Sequence, residues 1–190
     1  MRRIAYLTGW PGSGKSKIAG KFQAGDVAII TGDHMIHWAA QRLCPYLTSG
    51  HAWAWDLWAA LSKHCDLHSA FRRTLADVYG DQLSSGNPIL AEATLLGLSP
   101  VRGAFHSALV DLLPGGIEGR IFWLHPTASE LVDRFNGRID RGERKGGKID
   151  VEQARKDLSF YELQMMGCNP LCTGDSSEME EKIREFLGPV

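Results

Sequence analysis

Ile4-Ala5-Tyr6-Leu7-Thr8-Gly9-Trp10-Pro11-Gly12-Ser13-Gly14-Lys15-Ser16 opens as a short apolar run, bends through glycines and ends on a lysine and a serine. Residues Gly9 to Ser16 satisfy the pattern G-x-x-x-x-G-K-[ST] at every position. Chemistry explains this spacing. Gly9, Gly12 and Gly14, with Pro11 and Ser13 between them, let the backbone curl until successive N–H groups point at one anion. A helix is expected from Lys15 to Phe22, and its N-terminus adds the positive end of a dipole. Lys15 is placed to reach the β- and γ-phosphates of a nucleoside triphosphate, and the Ser16 hydroxyl to ligate Mg²⁺.

Working outward, Val27 to Ile30 reads as a second strand, closed by Thr31-Gly32-Asp33. A helical pattern then runs from His34 to about Ser85, interrupted at Pro45 and at Ser49-Gly50. Ile89 to Ala91 is a third strand leading into Glu92. Helical periodicity covers Pro100 to Leu113, and Ile121 to Leu124 is a fourth strand. Pro126 opens a helix to about Phe135, and a polar, glycine-rich stretch follows. Asp150 caps a helix to Met166, Pro170 to Cys172 is a short fifth strand, and Ser176 to Leu187 closes the chain with a helix. Strands alternating with helices predict an α/β fold of three layers, a parallel sheet covered on both faces. No linker or repeat interrupts residues 1–190, which are expected to form one domain.

Composition bounds the function. Apolar residues make up 44% and charged residues 23%, which argues against a disordered chain, a fibrous repeat or a disulfide scaffold. The formal net charge of −1 lacks the basic excess of a dedicated duplex-binding domain. There is no apolar run of the ~18 residues a membrane span needs. The basic start, Met1-Arg2-Arg3, is followed by too short an apolar stretch for a signal peptide. Cys44, Cys65, Cys168 and Cys172 match no paired zinc spacing, so the expectation is free thiols in the cytoplasm.

Several side chains then stand out as chemical candidates. Asp33 follows the second strand directly, on the edge where a parallel sheet binds its ligand. A carboxylate there can take an acceptor's proton, or it can cap the following helix. Glu92 ends the third strand at the same edge, suited to a Mg²⁺-bound water or a substrate hydroxyl, or merely to solvent. From Arg134 to Lys148 the chain has six basic and two acidic residues, with glycines at 137, 142, 146 and 147. Arg134, Arg138 and Arg141 share a face if the helix continues. The stretch 137–149 reads as a mobile lid that brings positive charge to transferring phosphate, or as a solvated loop. Trp53, Trp55 and Trp58 crowd one short segment. Trp55 and Trp58 share a helix face, either as packing or as an aromatic wall for an acceptor ring. The pairs His34/His37 and His64/His68 complete no metal signature.

The phosphate loop, the Asp after the second strand and the arginine segment together resemble the P-loop kinases that phosphorylate hydroxyls. That group includes phage-type polynucleotide 5′-kinase, gluconate and shikimate kinases, chloramphenicol phosphotransferase and the zeta toxins. The polynucleotide kinase module is the nearest. Its lid is similar to Glu130-Leu131-Val132-Asp133-Arg134 followed, after a basic stretch, by Lys148-Ile149-Asp150-Val151. The resemblance implies a five-stranded sheet of order 2-3-1-4-5, with ATP and Mg²⁺ as cofactors. It gives Lys15 the nucleotide, Ser16 the metal, Asp33 the base and Arg134 or Arg138 the transition state. Residues 34–86, with Glu92 and Trp55, would shape the acceptor site. Polynucleotide kinase carries an Arg one turn after its Asp; here His34, Met35, Ile36 and His37 follow. Between Asp33 and Gly86, Arg42, Lys63, Arg72 and Arg73 are matched by Asp56, Asp66, Asp77 and Asp81. The expected acceptor is therefore a small hydroxyl compound or nucleoside and not a long nucleic acid, whose phosphates would need further cations.

Overall fold

The computed structural model describes residues 1–22, 26–43, 45, 54–143, 147–166, 171–174 and 176–188. Five strands, β1 (Arg2–Gly9), β2 (Ala28–Thr31), β3 (Ile89–Glu92), β4 (Ile117–Leu124) and β5 (Leu171–Gly174), form one parallel sheet in the order β2-β3-β1-β4-β5. This is the expected order. The helices in chain order are α1 (Lys15–Ala19), α2 (Gly32–Leu43), α3 (Ala54–His64), α4 (Leu67–Ser84), α5 (Ser99–Leu112), α6 (Ala128–Asp140), α7 (Val151–Met165) and α8 (Ser176–Leu187), with a 3₁₀ turn at Leu95–Gly97.

Side chains alternate across the pleat, and that alternation builds the two cores. Ile4 and Tyr6 of β1, Ile89 and Ala91 of β3, and Ile121 and Trp123 of β4 join Met35 of α2, Phe71 of α4, Phe105 of α5 and Tyr161 of α7. Ala5, Leu7, Leu90, Phe122 and Leu124 join Ile18 of α1 and Met179, Ile183 and Phe186 of α8. Both faces being covered explains why the strands read as nearly continuous apolar runs. A third cluster, Leu131, Ala154 and Leu158, holds α6 against α7.

The register brings the functional edge together. Glu92 lies opposite Leu7 on one side and Thr31 on the other. The exits of β1, β2 and β3, which lead to the phosphate loop, to Asp33 and to Thr94, therefore stand side by side.

Several boundaries differ from the sequence reading, the end of α1 at Ala19 in place of Phe22 among them. Strand β4 begins at Ile117, because Ile117 to Arg120 pair with Arg2 to Ala5 of β1 despite their partial exposure. Helix α2 begins at Gly32, so Asp33 lies inside its first turn and not before it. Strand β5 begins at Leu171 and extends to Gly174. Helix α6 runs through Asn136-Gly137 to Asp140. Its start is fixed by a capping box between Thr127 and Glu130. Asn136 stays helical because its side-chain amide is used elsewhere, donating to Ile149 O (2.8 Å) and accepting from Ile149 N (2.9 Å). The first residues of the expected lid are thus helix. Residues 144–146, Trp53, Cys44, Cys168 and Pro170 lie outside the described residues, as do the side chains of Trp55, His64 and Cys172. Cys65 is half-buried and forms no disulfide among the described residues. Among the described residues no helix is long and apolar enough to cross a membrane.

Candidate functional site

A cleft of about 990 Å³ opens over the carboxyl end of the sheet. Its wall contains Pro11, Gly12, Gly14, Lys15 and Ser16 from the phosphate loop, Asp33 from α2, Glu92 at the end of β3, and Arg134 and Arg138 from α6. Elements far apart in sequence thus contribute most of the predicted residues to one surface, while Gly9 and Ser13 lie behind it and do not line the cleft. Trp10, Lys17, Thr94, Leu95, Arg141 and Glu143 line it as well. Gly9 sits where β1 turns, and a Cβ there would stand 2.7 Å from Ser13 Oγ and 2.8 Å from Leu124 O, so only glycine fits. Gly14, at φ +104°, supplies the left-handed step that starts α1.

Lys15 is buried, and its Nζ donates to Gly9 O at 2.9 Å and Trp10 O at 3.3 Å. Burial pushes its pKa below the ordinary lysine value, while Asp33 and Glu92 pull it back up and Arg138 adds to the lowering. The ammonium is thus folded onto its own loop, a few torsions from any anion in the cleft. Ser16 Oγ donates to Glu92 Oε1 at 3.3 Å. Ser13 Oγ is buried without a hydrogen-bond partner among the described residues.

Two carboxylates face this lysine. Asp33 Oδ1 is buried and has no hydrogen-bond partner among the described residues. That argues against a helix cap, whose oxygen would accept from a backbone N–H. Burial raises the Asp33 pKa above the ordinary carboxylate value, and Lys15, His37 and His34 oppose that rise. Glu92, 7% exposed, is raised for the same reason and further by Asp33, against the pull of Lys15 and the Ser16 hydrogen bond. An acid whose charged form is poorly solvated can take up a proton near neutral pH more readily than a surface one.

The arginines divide into two groups. Arg134 Nη1 donates to Ser13 O at 2.9 Å, and its Nη2 pairs with Glu130 Oε1 at 3.3 Å, tying α6 to the phosphate loop. Arg138 and Arg141 instead meet Glu143, at 3.8 Å and 2.6 Å. Sequence reasoning missed the anion at Glu143, counting it only as an offset to the basic run. It also missed Thr94 and Tyr161. Tyr161 is fully buried, exchanges a hydrogen bond with Thr8 Oγ1 at 2.6 Å and donates to Thr94 O. Its ring meets Trp10 edge-on at 5.8 Å. Only the position of Tyr161 on the buried stripe of α7 hinted at it, and that signal is shared by every core residue.

No family model matches the chain, and no curated protein matches it. Solved structures do. The tunicamycin resistance protein of Deinococcus radiodurans superposes with a TM-score of 0.60 at 14% identity, over 100% of this chain and 98% of that one. A protein of Chloroflexus aurantiacus described as a kinase gives 0.58 at 17% identity, over 98% and 99% of the two chains. A sugar kinase of Janibacter gives 0.50 at 16% identity, over 98% and 94%. With its β2-β3-β1-β4-β5 parallel sheet and the loop that leaves β1, the chain has the fold of the P-loop kinases.

Proposed function

We propose that this chain is an ATP-dependent phosphotransferase whose acceptor is the hydroxyl of a small molecule or nucleoside. One observation carries the reading: half-buried Asp33, whose buried Oδ1 has no hydrogen-bond partner among the described residues, lines the same cleft as Lys15 and Ser16. A structural cap would be satisfied. A base awaiting an acceptor would not be.

In this reading the loop amides and Lys15 hold the β- and γ-phosphates, Lys15 exchanging its bonds to Gly9 O and Trp10 O for phosphate oxygens. Asp33 accepts the proton of the acceptor hydroxyl as that oxygen bonds to the γ-phosphorus and the bond to the bridging β,γ-oxygen breaks, leaving ADP. Arg138 supplies positive charge over the transferring group. The neighbouring oxygens of Ser16 and Glu92 fit a Mg²⁺ site, with Ser16 as ligand and Glu92 holding a bound water. Bound there, the ion would neutralise charge on the β- and γ-phosphate oxygens. Glu92 and, by its place on α3, Trp55 remain candidates for the acceptor side. Because the Janibacter neighbour is a sugar kinase, sugars are the first acceptors to try.

The test is transfer from γ-labelled ATP to a panel of sugars, nucleosides, aromatic alcohols and a 5′-hydroxyl oligonucleotide. We expect label on a small acceptor, and none with Lys15→Ala. Efficient labelling of the oligonucleotide, weakening steeply with salt, would make this a polynucleotide kinase instead. Steady ATP hydrolysis with no labelled acceptor would make it an NTPase.

A further inference from the structure

Helix α6 ends in a turn of defined geometry. Gly142 adopts φ +71°, and its N–H donates to Ile139 O at 2.9 Å. Glu143 N–H donates to Arg138 O, also at 2.9 Å. These are the two bonds of a Schellman motif, with Arg141 as the cap residue. The turn fixes the backbone of Glu143 beside the last turn of α6. From there its carboxylate meets Arg141 twice, Oε1 to Nε at 2.6 Å and Oε2 to Nη2 at 3.2 Å. The same Oε2 stands 3.8 Å from Arg138 Nε. All three side chains line the cleft that holds Lys15.

Resting on the phosphotransferase reading, we propose that Glu143 is an internal stand-in for phosphate, occupying Arg138 and Arg141 until a nucleotide's phosphates displace it. A guanidinium fork accepts a carboxylate or a phosphate with the same bidentate geometry. The two anions therefore compete for the same donors. Glu143 is covalently held at the site, so a phosphate group must be present and correctly placed to win. The hydrogen bond from Arg141 lowers the Glu143 pKa below the ordinary carboxylate value, so the group stays ionised through the neutral range. The consequence is a specificity device. A ligand whose phosphates reach the lid arginines gains their charge, whereas a ligand that ends short of them leaves Glu143 in place. Lid contacts are thus reserved for the triphosphate, and the arginine pair does not gather stray anions between turnovers.

The pairs are largely exposed and solvent-screened, so the effect is modest, about fivefold in affinity at most. Binding of ATP, inorganic tripolyphosphate and adenosine is measured for the full chain and for Glu143→Gln. We expect tighter ATP and tripolyphosphate by about three- to fivefold, unchanged adenosine, and loss of the gain at high salt. Glu152→Gln, which removes an acid paired with Lys156 on α7, controls for net charge and should leave all three unchanged. Weaker or unchanged triphosphate binding in Glu143→Gln would overturn the proposal, as would an equal gain in Glu152→Gln. Lys15→Ala keeps the two readings apart. If it leaves ATP and tripolyphosphate binding intact, the phosphate-loop reading itself fails, whatever Glu143 does.

Discussion

At Asp33 two demands conflict, and the balance can be measured. The fold removes the carboxylate from water and gives Oδ1 no donor, so burial raises its pKa despite Lys15, His37 and His34. A carboxyl whose folded pKa lies above its unfolded value favours folding when protonated. Its contribution is therefore largest below the ordinary aspartate value of 3.8 and is lost as pH rises through the folded value. Glu92, raised for the same reason, acts in the same direction. Asp33→Asn should accordingly raise the Tm of the nucleotide-free protein at pH 7, and the gain should vanish when melting is repeated below about pH 4. Phosphoryl transfer should fall by ~10²–10⁴ in the same variant, with ATP binding retained. A lower Tm at pH 7 would mean that the carboxylate is structural after all. The position of Asp33 was legible in the sequence because a strand end points to the ligand edge. Its unpartnered state was not, since that depends on where α2 begins.

The element that departs most from the sequence reading is α6. Asn136-Gly137 looks like a stop, yet the glycine that ends the helix is Gly142, the one with a positive φ. The amide of Asn136 clamps Ile149, a contact thirteen residues away that no local pattern encodes. Extending the helix separates the roles of its arginines. Arg134 is bonded to the phosphate loop at Ser13 O, whereas Arg138 meets Glu143 at longer range. Arg138→Ala should therefore lower kcat more than ATP affinity, because its charge acts on the transition state. Arg134→Ala should weaken ATP binding as well, by loosening the loop at Ser13. Steady-state kinetics beside direct ATP binding for both variants would check this. Equal and small effects in the two would leave the arginine stripe a solvated face. The basic run was plain in the sequence; the division of labour within it depends on which donors the folded loop offers.

Across the whole molecule, both apolar layers follow from a pattern visible in the chain, apolar residues of both parities in β1, β3 and β4, whereas the sheet order was implied by the resemblance to the P-loop kinases. The ties between layers were less legible. Tyr161 reaches from α7 over the sheet edge to Thr8 and Thr94, binding the element after the lid to the exits of β1 and β3. It does so because residue 97 is glycine: a Cβ there would stand 2.1 Å from the Tyr161 hydroxyl. Gly97 and Tyr161 therefore behave as one composite side chain divided between two segments, and position 97 cannot gain a side chain while Tyr161 stands. Gly97→Ala should be strongly destabilising in the native background and much less so beside Tyr161→Leu, which removes the obstructing ring end. A double-mutant cycle on Tm would read this directly, and strict additivity would refute it. If the coupling holds, any drift at position 97 must wait for a shortened residue 161. The route by which this cleft can be remodelled, in the laboratory or by descent, is then a matter of the order in which substitutions arrive.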